Sequence, residues 1–262
     1  MNPTNNNSNW LSTVAPLAVG VLVLAGWEAA CRFGDIPAFL LPAPSAIART
    51  LFTERAALAS AWLVTVRTML AALAIAIIGG VALAAVFASS RWLELSLFPY
   101  AVVLQVTPLL ALAPLLLVWI GTPWIVTLLC ALIVAFFPIL SGTTLGLRSS
   151  APGLRDLFTL YGATRWQRLR LLLVPSALPY FLAGLKVAVN LSLVGAVVAE
   201  FVTGAATEAP GLATLVFEGQ FRSDADRTFA ALALISGTGI ASYFAVHALS
   251  RHLLAGWHES GV

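Results

Sequence analysis

Long uncharged stretches dominate the hydrophobic pattern of this chain, and they predict helices that cross a membrane. About 20 predominantly apolar residues in an α-helix cross the roughly 30 Å of hydrocarbon in a bilayer. The longest uncharged run covers residues 95–147, which is too long for one crossing, and the turn residues 121–123 are expected to divide it. The pattern predicts six spans: residues 10–27, 69–88, two within 95–147 on either side of 121–123, 179–201, and 228–249.

The composition agrees with a membrane protein. Only 10% of the 262 residues are charged, against about 25% in an ordinary soluble domain, and the mean hydropathy is +0.94. The net charge of +3 is small, and the arginines are spread along the chain, which argues against nucleic-acid binding. Cys31 and Cys130 are too few for a disulfide framework and are expected to be packing residues.

The first apolar stretch is expected to remain as a span. It lacks the positively charged start and the small-residue cleavage site of a secretory signal. Cleavage of this stretch as a signal is the alternative. Residues 1–9 before it are polar and of low complexity after the initiating methionine, which predicts a disordered tail.

The arginines give an expected orientation. Under the positive-inside rule, the arginine-rich loop between the fourth and fifth spans lies in the cytoplasm. Six spans then place both termini on the cytoplasmic side. With the loop included, seven arginines fall on the cytoplasmic side and six on the outer side, so the orientation depends on this loop. Its arginines are Arg148, Arg155, Arg165, Arg168 and Arg170.

Two connecting segments carry local helix signals. After the first span, Ser45 is a candidate N-cap for a helix with apolar residues at helical spacing. This helix is expected to lie along the membrane interface, and a simple surface linker is the alternative. Between the fifth and sixth spans, the apolar residues 212–217 predict a short helix at the outer surface.

The segment DLFTLYGATRWQRLRLLLVPSALP, residues 156–179, combines positive charge with an apolar stripe. Leu154, Leu157, Phe158 and Tyr161 stand at the i, i+3, i+4 and i+7 positions of a helix. Gly162 is expected to end this helix, because glycine commonly follows a last helical turn.

A second short helix is predicted directly after the glycine. Thr164 and Gln167 have the spacing of a capping box, and Pro175 is expected to end the helix. The prediction is therefore two short helices at an angle, over residues 152–175 on the cytoplasmic side. Adsorption of one amphipathic helix on anionic lipid is the alternative, but it needs only a continuous stripe and no rigid corner.

The same segment resembles the cytoplasmic loop of permease subunits of ABC importers. The family pattern is an acidic residue, two alanines, three further residues and glycine, and it ends in aliphatic-x-aliphatic-proline. Asp156, Gly162 and Pro175 fit this pattern, while Leu157 and Phe158 replace the two alanines. The stretches LPAPSAI, TPLLALAPLLLVWIG and LKVAVNLSLVGAVVAEFV resemble the nitrate, sulfonate and taurine branch, which includes relatives for thiamine-pyrimidine precursors and riboflavin.

The resemblance implies an all-α polytopic membrane protein with six transmembrane helices and the type I ABC importer permease fold. It places this single permease domain, residues 10–262, in the bacterial inner (cytoplasmic) membrane. The residues implied to couple it to its ATPase subunits are Asp156, Leu157, Phe158, Gly162, Ala163, Arg165 and Pro175.

The resemblance also implies partners. These are a second permease copy in a homodimer, two ABC ATPase subunits, an extracytoplasmic substrate-binding protein and the lipid bilayer. ATP and magnesium are expected to bind to the ATPase subunits, and no cofactor to this chain. In agreement, the chain has no G-x-x-x-x-G-K-[ST] phosphate loop.

Polar residues in the fifth span are candidates for a translocation pathway. Lys186 and Glu200 fall on nearly the same helix face, about 21 Å apart in rise, and Asn190 lies one turn beyond Lys186. Snorkelling of Lys186 and an interfacial position for Glu200 would explain that pair without a function. For Asn190, helix packing is the alternative.

The third span holds two further pathway candidates, Gln105 and Thr107, with helix packing again as the alternative. Pro108 and Pro114 remove backbone donors nearby and are expected to kink the helix. The four tryptophans near span ends are expected to anchor the protein at the membrane interface. The three histidines lack the spacing of metal ligands, so no zinc site is expected. These residues are Trp92, Trp119, Trp124, Trp257, His247, His252 and His258.

Together these observations favour a permease that moves a small solute inward by alternating access and catalyses no reaction itself. An ion-gradient-driven secondary transporter or channel is the alternative, but no Asp or Glu lies in the middle of a predicted span. An intramembrane enzyme would need a nucleophile and a base at one depth, and no such pair is found. The fifth-span motif favours a pyrimidine precursor or a riboflavin-like solute over taurine or nitrate.

Overall fold

The computed structural model describes residues 7–34, 36–207 and 209–254, and most of these residues are helical. A π-helical turn, Leu169–Leu173, and a 3₁₀ turn, Gly204–Ala206, interrupt or follow the α-helices. In chain order, the α-helices in these ranges are α1 (Asn7–Phe33), α2 (Pro44–Thr53), α3 (Arg55–Ser89), α4 (Arg91–Val106), α5 (Leu109–Ile120), α6 (Pro123–Arg148), α7 (Pro152–Leu160), α8 (Arg165–Arg168), α9 (Val174–Thr203), α10 (Leu212–Phe221) and α11 (Ala225–Leu254).

Five continuous helical segments of the described chain are long and apolar enough to cross a membrane. They are α1, α3, α6, α11 and the path from Arg165 to the end of α9, and each contains a predicted span. The predicted third span differs, because α4 and α5 form a pair bent by 98°. Six spans are reached when this bent pair counts as one.

The bend between α4 and α5 has its cause at Thr107 and Pro108. Thr107 is the C-cap of α4 and has an extended backbone, with φ −66° and ψ 126°. A residue before proline avoids the helical conformation because the proline ring crowds its backbone. Pro108 then acts as the N-cap of α5 and offers no N–H to continue the helix. Pro114, also expected to produce a kink, lies inside α5.

The chain divides into two compact units, of which the first comprises residues 1–59 and 215–233. In this unit the carboxylate of Glu28 accepts hydrogen bonds from the hydroxyl and backbone N–H of Ser45, at 2.7 and 3.0 Å. The prediction that Ser45 is the N-cap of α2 is therefore wrong. Ala43 is the N-cap, and its side chain accepts no hydrogen bond. The carboxylate of Glu28 on α1 instead accepts the N–H of Ser45, one of the backbone donors that the first turn of α2 leaves unpaired.

Three further predictions of local structure concern segments in or next to this unit. The helix predicted over residues 212–217 is confirmed as α10. The segment after the first span is a helix, α2, and its position at a membrane interface stays a prediction. Of the predicted tail, residues 1–6 lie outside the described residues, and α1 begins at Asn7.

The second unit comprises residues 60–214 and 234–262, described up to residue 254. Its core lies where α6 packs along α9, with α3 against both helices. Cys130 is buried beside Ala113, Val126 and Ala199, which agrees with its predicted packing role. Representative buried side chains of the main cluster are Met69, Leu73, Ile139, Leu182 and Leu193.

Glycines allow α6 and α9 to approach closely. A Cβ atom added at Gly146 would lie 2.7 Å from the Cα of Ala177, and one at Gly142 would lie 2.8 Å from the carbonyl oxygen of Tyr180. Real Cβ atoms do not make contacts this short, so only glycine fits at these positions. Close contact of this kind holds membrane helices together through van der Waals packing, because lipid offers no hydrophobic gain on association.

Candidate coupling surface and polar pocket

The predicted stop at Gly162 is confirmed. Helix α7 ends at Leu160, and Gly162 has a φ of +65°, in the left-handed region that glycine adopts without a steric penalty. Backbone hydrogen bonds close the turn: the N–H groups of Gly162 and Ala163 donate to the carbonyl oxygens of Thr159 and Phe158, at 3.1 and 2.9 Å. The chain therefore changes direction here through a well-bonded corner.

The predicted capping box is also confirmed. Thr164 is the N-cap of α8, and its hydroxyl accepts the N–H of Gln167 at 3.2 Å. The Gln167 side chain accepts the N–H of Thr164 in return, at 2.8 Å. Two backbone donors that a helix start leaves unpaired are satisfied in this way.

The prediction that Pro175 ends the second helix is wrong. Helix α8 continues through the π-helical turn Leu169–Leu173 into α9, and Pro175 lies in the first turn of α9. Proline is tolerated in a first helical turn, and the preceding π turn changes the hydrogen-bond register there. The path from α8 to the end of α9 is therefore one helical body of 39 residues.

An apolar groove opens on the corner between α7 and the helical path that follows it. It has a volume of about 280 Å³, and its lining includes Leu157, Phe158, Tyr161, Ala163 and Leu171. Tyr161 is 83% exposed and Leu157 is 44% exposed, while Phe158 and Ala163 are half-buried. Exposed apolar surface of this kind is typical of a site where another protein binds.

The remaining predicted coupling residues lie around this groove. Asp156 on α7 and Arg165 on α8 are exposed, as is Gly162 in the turn. Pro175 is half-buried in the first turn of α9. The structure therefore brings the first six predicted residues to one corner and places Pro175 farther along the helical path.

Arginine side chains fix the corner to the end of α6. Arg155 donates to the hydroxyl of Ser150 at 2.6 Å and to the carbonyl oxygen of Arg148 at 2.7 Å. Arg168 on α8 donates to the hydroxyl of Thr159 on α7 at 3.0 Å. These contacts hold α7, α8 and α6 in a defined arrangement.

A polar pocket lies at the other end of α6. It has a volume of about 300 Å³, and its lining includes Arg67, Trp124, Thr127, Glu200 and Thr203. The hydroxyls of Thr127 and Thr203 are hydrogen-bonded at 3.0 Å. Because α6 is about 39 Å long at 1.5 Å per residue, the pocket and the corner belong to opposite ends of the second unit.

Glu200 is buried in the wall of this pocket, where it is 4% exposed. One carboxylate oxygen accepts the hydroxyl of Thr65 at 3.1 Å and the N–H of Ala213 at 3.0 Å. Thr65 in turn accepts the N–H of Leu212 at 2.9 Å. Glu200 and Thr65 together accept the first two backbone N–H groups of α10. The sequence around Thr65 does not indicate this role, because its partners are remote in the chain.

The other pathway candidates do not line the polar pocket. Lys186 and Asn190 are half-buried on α9, one turn apart. Gln105 is exposed on α4, and the Thr107 hydroxyl donates to the carbonyl oxygen of Val103 at 2.8 Å. Of the five pathway candidates, Glu200 therefore lines the polar pocket and the other four lie outside it.

Tryptophans lie at several helix ends. Trp92 in the first turn of α4 and Trp119 in the last turn of α5 are each 72% exposed, and Trp124 in the first turn of α6 is 56% exposed. Their anchoring role stays a prediction. Trp257 and His258 lie outside the described residues, and within the described ranges no group of His, Cys, Asp and Glu could hold a metal ion.

Several apolar spans, a broken helix pair and an exposed helical corner define a helical protein that crosses the membrane several times. Residues 76–255 match the family of binding-protein-dependent transport system inner membrane components, and the chain belongs to this family. It is therefore a permease subunit of an importer, a non-catalytic transmembrane subunit that works with an ATPase and a substrate-binding protein.

Two relatives agree with this assignment, and one solved structure shares the fold. The chain is 33% identical to the riboflavin transport system permease protein of Chloroflexus aurantiacus, over 96% of this chain and 92% of the relative. It is 31% identical to the formylaminopyrimidine transport permease protein of Halalkalibacterium halodurans, over 91% and 94%. A crystal structure of an amino acid ABC transporter with histidines shows the same fold, with a TM-score of 0.60 and 17% identity, over 78% of this chain and 95% of that chain.

Proposed function

We propose that this permease works as a homodimer in the bacterial inner membrane, with both termini in the cytoplasm and two ATPase subunits bound at its helical corners. The exposed apolar groove, on a corner that continues directly into α9, supports the docking of the ATPase subunits. The homodimer follows from the family resemblance, and the orientation from the arginine-rich loop. ATP and magnesium bind to the ATPase subunits, and this chain takes no cofactor.

The groove supplies the binding surface. Burial of apolar surface contributes about 25 cal/mol for each Å² removed from water, and Leu157 and Tyr161 expose large side chains. Leu157 and Phe158 are bulkier than the alanines of the family pattern. The ATPase therefore needs a wider recess here than an ATPase that binds the alanine form.

The continuous helix transmits the motion. When ATP binding closes the ATPase subunits, force on α8 acts along the π turn into α9, because no flexible linker separates them. The close contacts at Gly142 and Gly146 make α6 move with α9. The far ends of both helices line the polar pocket, so movement at the corner changes the opposite end of the unit.

The residues Gln105, Thr107, Lys186 and Asn190 are the candidates for contact with the solute during this change. For Glu200, the hydrogen bonds to Thr65 and Ala213 favour a role in holding the start of α10.

For the transported solute we propose a heteroaromatic vitamin or vitamin precursor. Two relatives that match more than nine-tenths of this chain are named for transport of riboflavin and formylaminopyrimidine. The test is uptake into proteoliposomes that contain this permease and its ATPase, with the binding protein outside. ATP-dependent uptake of either compound, without uptake of taurine or nitrate, supports the proposal, and uptake of taurine or nitrate alone overturns it.

Uptake also separates an ATP-driven importer from an ion-gradient carrier. A proton uncoupler added at constant ATP is expected to leave uptake unchanged. Loss of uptake under this condition would show that an ion gradient drives transport.

A charged substitution at Tyr161, the most exposed aromatic residue of the groove, tests whether the groove is the docking surface. Tyr161→Asp should reduce co-purification of the ATPase at least tenfold, since a charge in an apolar interface must be desolvated. Phe52→Asp is the matched control, because Phe52 is 76% exposed on α2 and lies outside the corner. If Tyr161→Asp retains the ATPase as well as Phe52→Asp does, the groove is not the docking surface.

A further inference from the structure

A second cavity, of about 690 Å³, lies on the corner and shares no lining residue with the apolar groove. Four arginines from four helices line it, together with apolar residues that include Ala88 and Leu147. The arginines are Arg91 on α4, Arg148 on α6, Arg155 on α7 and Arg168 on α8.

The positive charge in this arginine cavity exceeds the negative charge beside it. Glu94 pairs with Arg91 at 3.1 Å and also with Arg148. Within the part of the chain that the structure describes, Arg155 and Arg168 donate only to neutral hydroxyl and carbonyl oxygens. Among the described residues, no carboxylate lies within 4.0 Å of either guanidinium.

Arg168 also has an unused donor. Its Nε atom is buried and has no hydrogen-bond partner among the described residues. A buried donor without a partner costs free energy, which a shift of the Arg168 side chain toward an anion in the cavity would recover. Two guanidiniums without a carboxylate and one unused donor therefore call for a ligand with several anionic oxygens, such as a phosphate group.

The position of the cavity indicates where such a ligand comes from. Ala88 lies one residue before the end of α3, and Leu147 one residue before the end of α6, and both helices are membrane spans. The arginines thus lie at one end of two membrane-spanning helices. The apolar part of the lining matches an acyl chain, and the arginines match a headgroup.

We propose that the arginine cavity binds an anionic phospholipid, with the lipid phosphate between Arg155 and Arg168. Basic pockets between membrane helices bind anionic headgroups in this manner. The lipid completes the contacts of the corner from the face that the apolar groove does not use. A bilayer rich in anionic lipid then stabilises the arrangement of α7 and α8 against α6.

The test compares two double variants of equal charge. The full-length permease, purified with its ATPase subunits, is exchanged into nanodiscs with phosphatidylcholine and a small fraction of phosphatidylglycerol. Bound phosphatidylglycerol is then measured by native mass spectrometry. Arg155→Gln with Arg168→Gln should reduce its retention about tenfold or more, since charge-assisted hydrogen bonds are lost.

Arg170→Gln with Arg251→Gln is the matched control, because it removes the same charge from exposed positions outside both the cavity and the apolar groove. Retention of phosphatidylglycerol in this control supports the proposal. Equal loss in both double variants would show a general charge effect and overturn it. Bound phosphatidylglycerol is also challenged with millimolar inorganic phosphate or with phosphatidylglycerol vesicles. If phosphate displaces the bound lipid as effectively as the vesicles do, the cavity is a site for free anions, and the lipid assignment is overturned.

A second measurement avoids the risk that the double variant does not fold. A phosphatidylglycerol with a photoreactive group near its glycerol is irradiated with the unmodified complex, and the labelled peptides are sequenced. Labelling at Leu147 or Leu173 supports the proposal, because both residues line the cavity. Labelling confined to residues outside the cavity would show that the lipid does not enter it and would overturn the proposal.

Discussion

The carboxylate of Glu200 on α9 accepts a hydrogen bond of 3.1 Å from the hydroxyl of Thr65 on α3, across 135 positions of sequence. The same carboxylate oxygen accepts the N–H of Ala213 at the start of α10. A single acidic side chain therefore joins two membrane helices to the first turn of a third helix. This explains a buried carboxylate at a span end without assigning it to solute binding.

Replacement of Glu200 tests this role. Glu200→Ala leaves the buried N–H of Ala213 unpaired and should lower the free energy of unfolding by about 1–3 kcal/mol. Glu200→Gln keeps one acceptor oxygen and should lose less. Thermal unfolding in detergent, with hydrogen exchange of Leu212 and Ala213, measures both effects. If Glu200→Ala leaves exchange at these two amides unchanged, Glu200 does not hold the start of α10.

The close contact between α6 and α9 predicts opposite outcomes for two Gly→Ala substitutions. Gly146→Ala places a methyl group within 2.7 Å of Ala177 and should destabilise the protein by about 1–3 kcal/mol. Gly237→Ala on α11 meets no atom within 4 Å and should be neutral or stabilising, by up to about 1 kcal/mol. Melting temperatures of the two variants in one detergent compare them directly. Equal melting temperatures would contradict the packing argument.

The positive φ of Gly162 predicts which substitutions the corner tolerates. Gly162→Val forces a β-branched residue into the left-handed region and should reduce ATPase co-purification and uptake while membrane insertion stays intact. Gly162→Asn should retain more of both, since asparagine adopts this conformation more readily.

Gly153→Val is the control for added bulk on the same segment. Neither Gly153 nor Gly162 has an atom within 4 Å of an added Cβ, but only Gly162 has a positive φ. The expected order of activity is therefore Gly153→Val, then Gly162→Asn, then Gly162→Val. A Gly162→Val protein that binds its ATPase and supports normal uptake would show that the corner conformation is not needed for docking.

The capping box predicts a local effect at the start of α8. Thr164→Ala removes the side-chain acceptor of the Gln167 N–H and should cost about 1 kcal/mol. Hydrogen exchange at Gln167 should rise about fivefold, with little change in α9. Thr53→Ala is a suitable control, because the Thr53 hydroxyl bonds only within its own turn. Unchanged exchange at Gln167 would show that the cap does not hold α8.

Much of the helical corner was predictable because its signals are local. The apolar spacing of Leu157, Phe158 and Tyr161 predicted α7, and Gly162 with Thr164 and Gln167 predicted the turn and the next helix start. The role of Pro175 was not predictable in this way. Proline either ends a helix or occupies its first turn, and the π turn that decides between these outcomes involves hydrogen bonds over five residues.

The partners of Ser45, Glu94 and Glu200 were beyond reach of any local pattern. Serine is a common N-cap residue, but the hydroxyl and the N–H of Ser45 both donate to the carboxylate of Glu28 on another helix. Glu94 pairs with Arg148 across the end of α6, and Glu200 with Thr65 on α3. Such pairs depend on which helices are neighbours, and spacing along one helix does not contain that information.

The sequence by itself determined that this protein lies in a membrane, which stretches form its spans, where the turn at Gly162 falls, and which permease family it belongs to. Hydrophobic length, caps and helix-breaking residues act over a few positions, so they can be read from the chain. Only the tertiary structure decided that α4 and α5 are bent by 98°, that α8 continues into α9, and that four arginines surround one cavity. These features depend on backbone geometry and on contacts between distant helices, which form only when the chain packs.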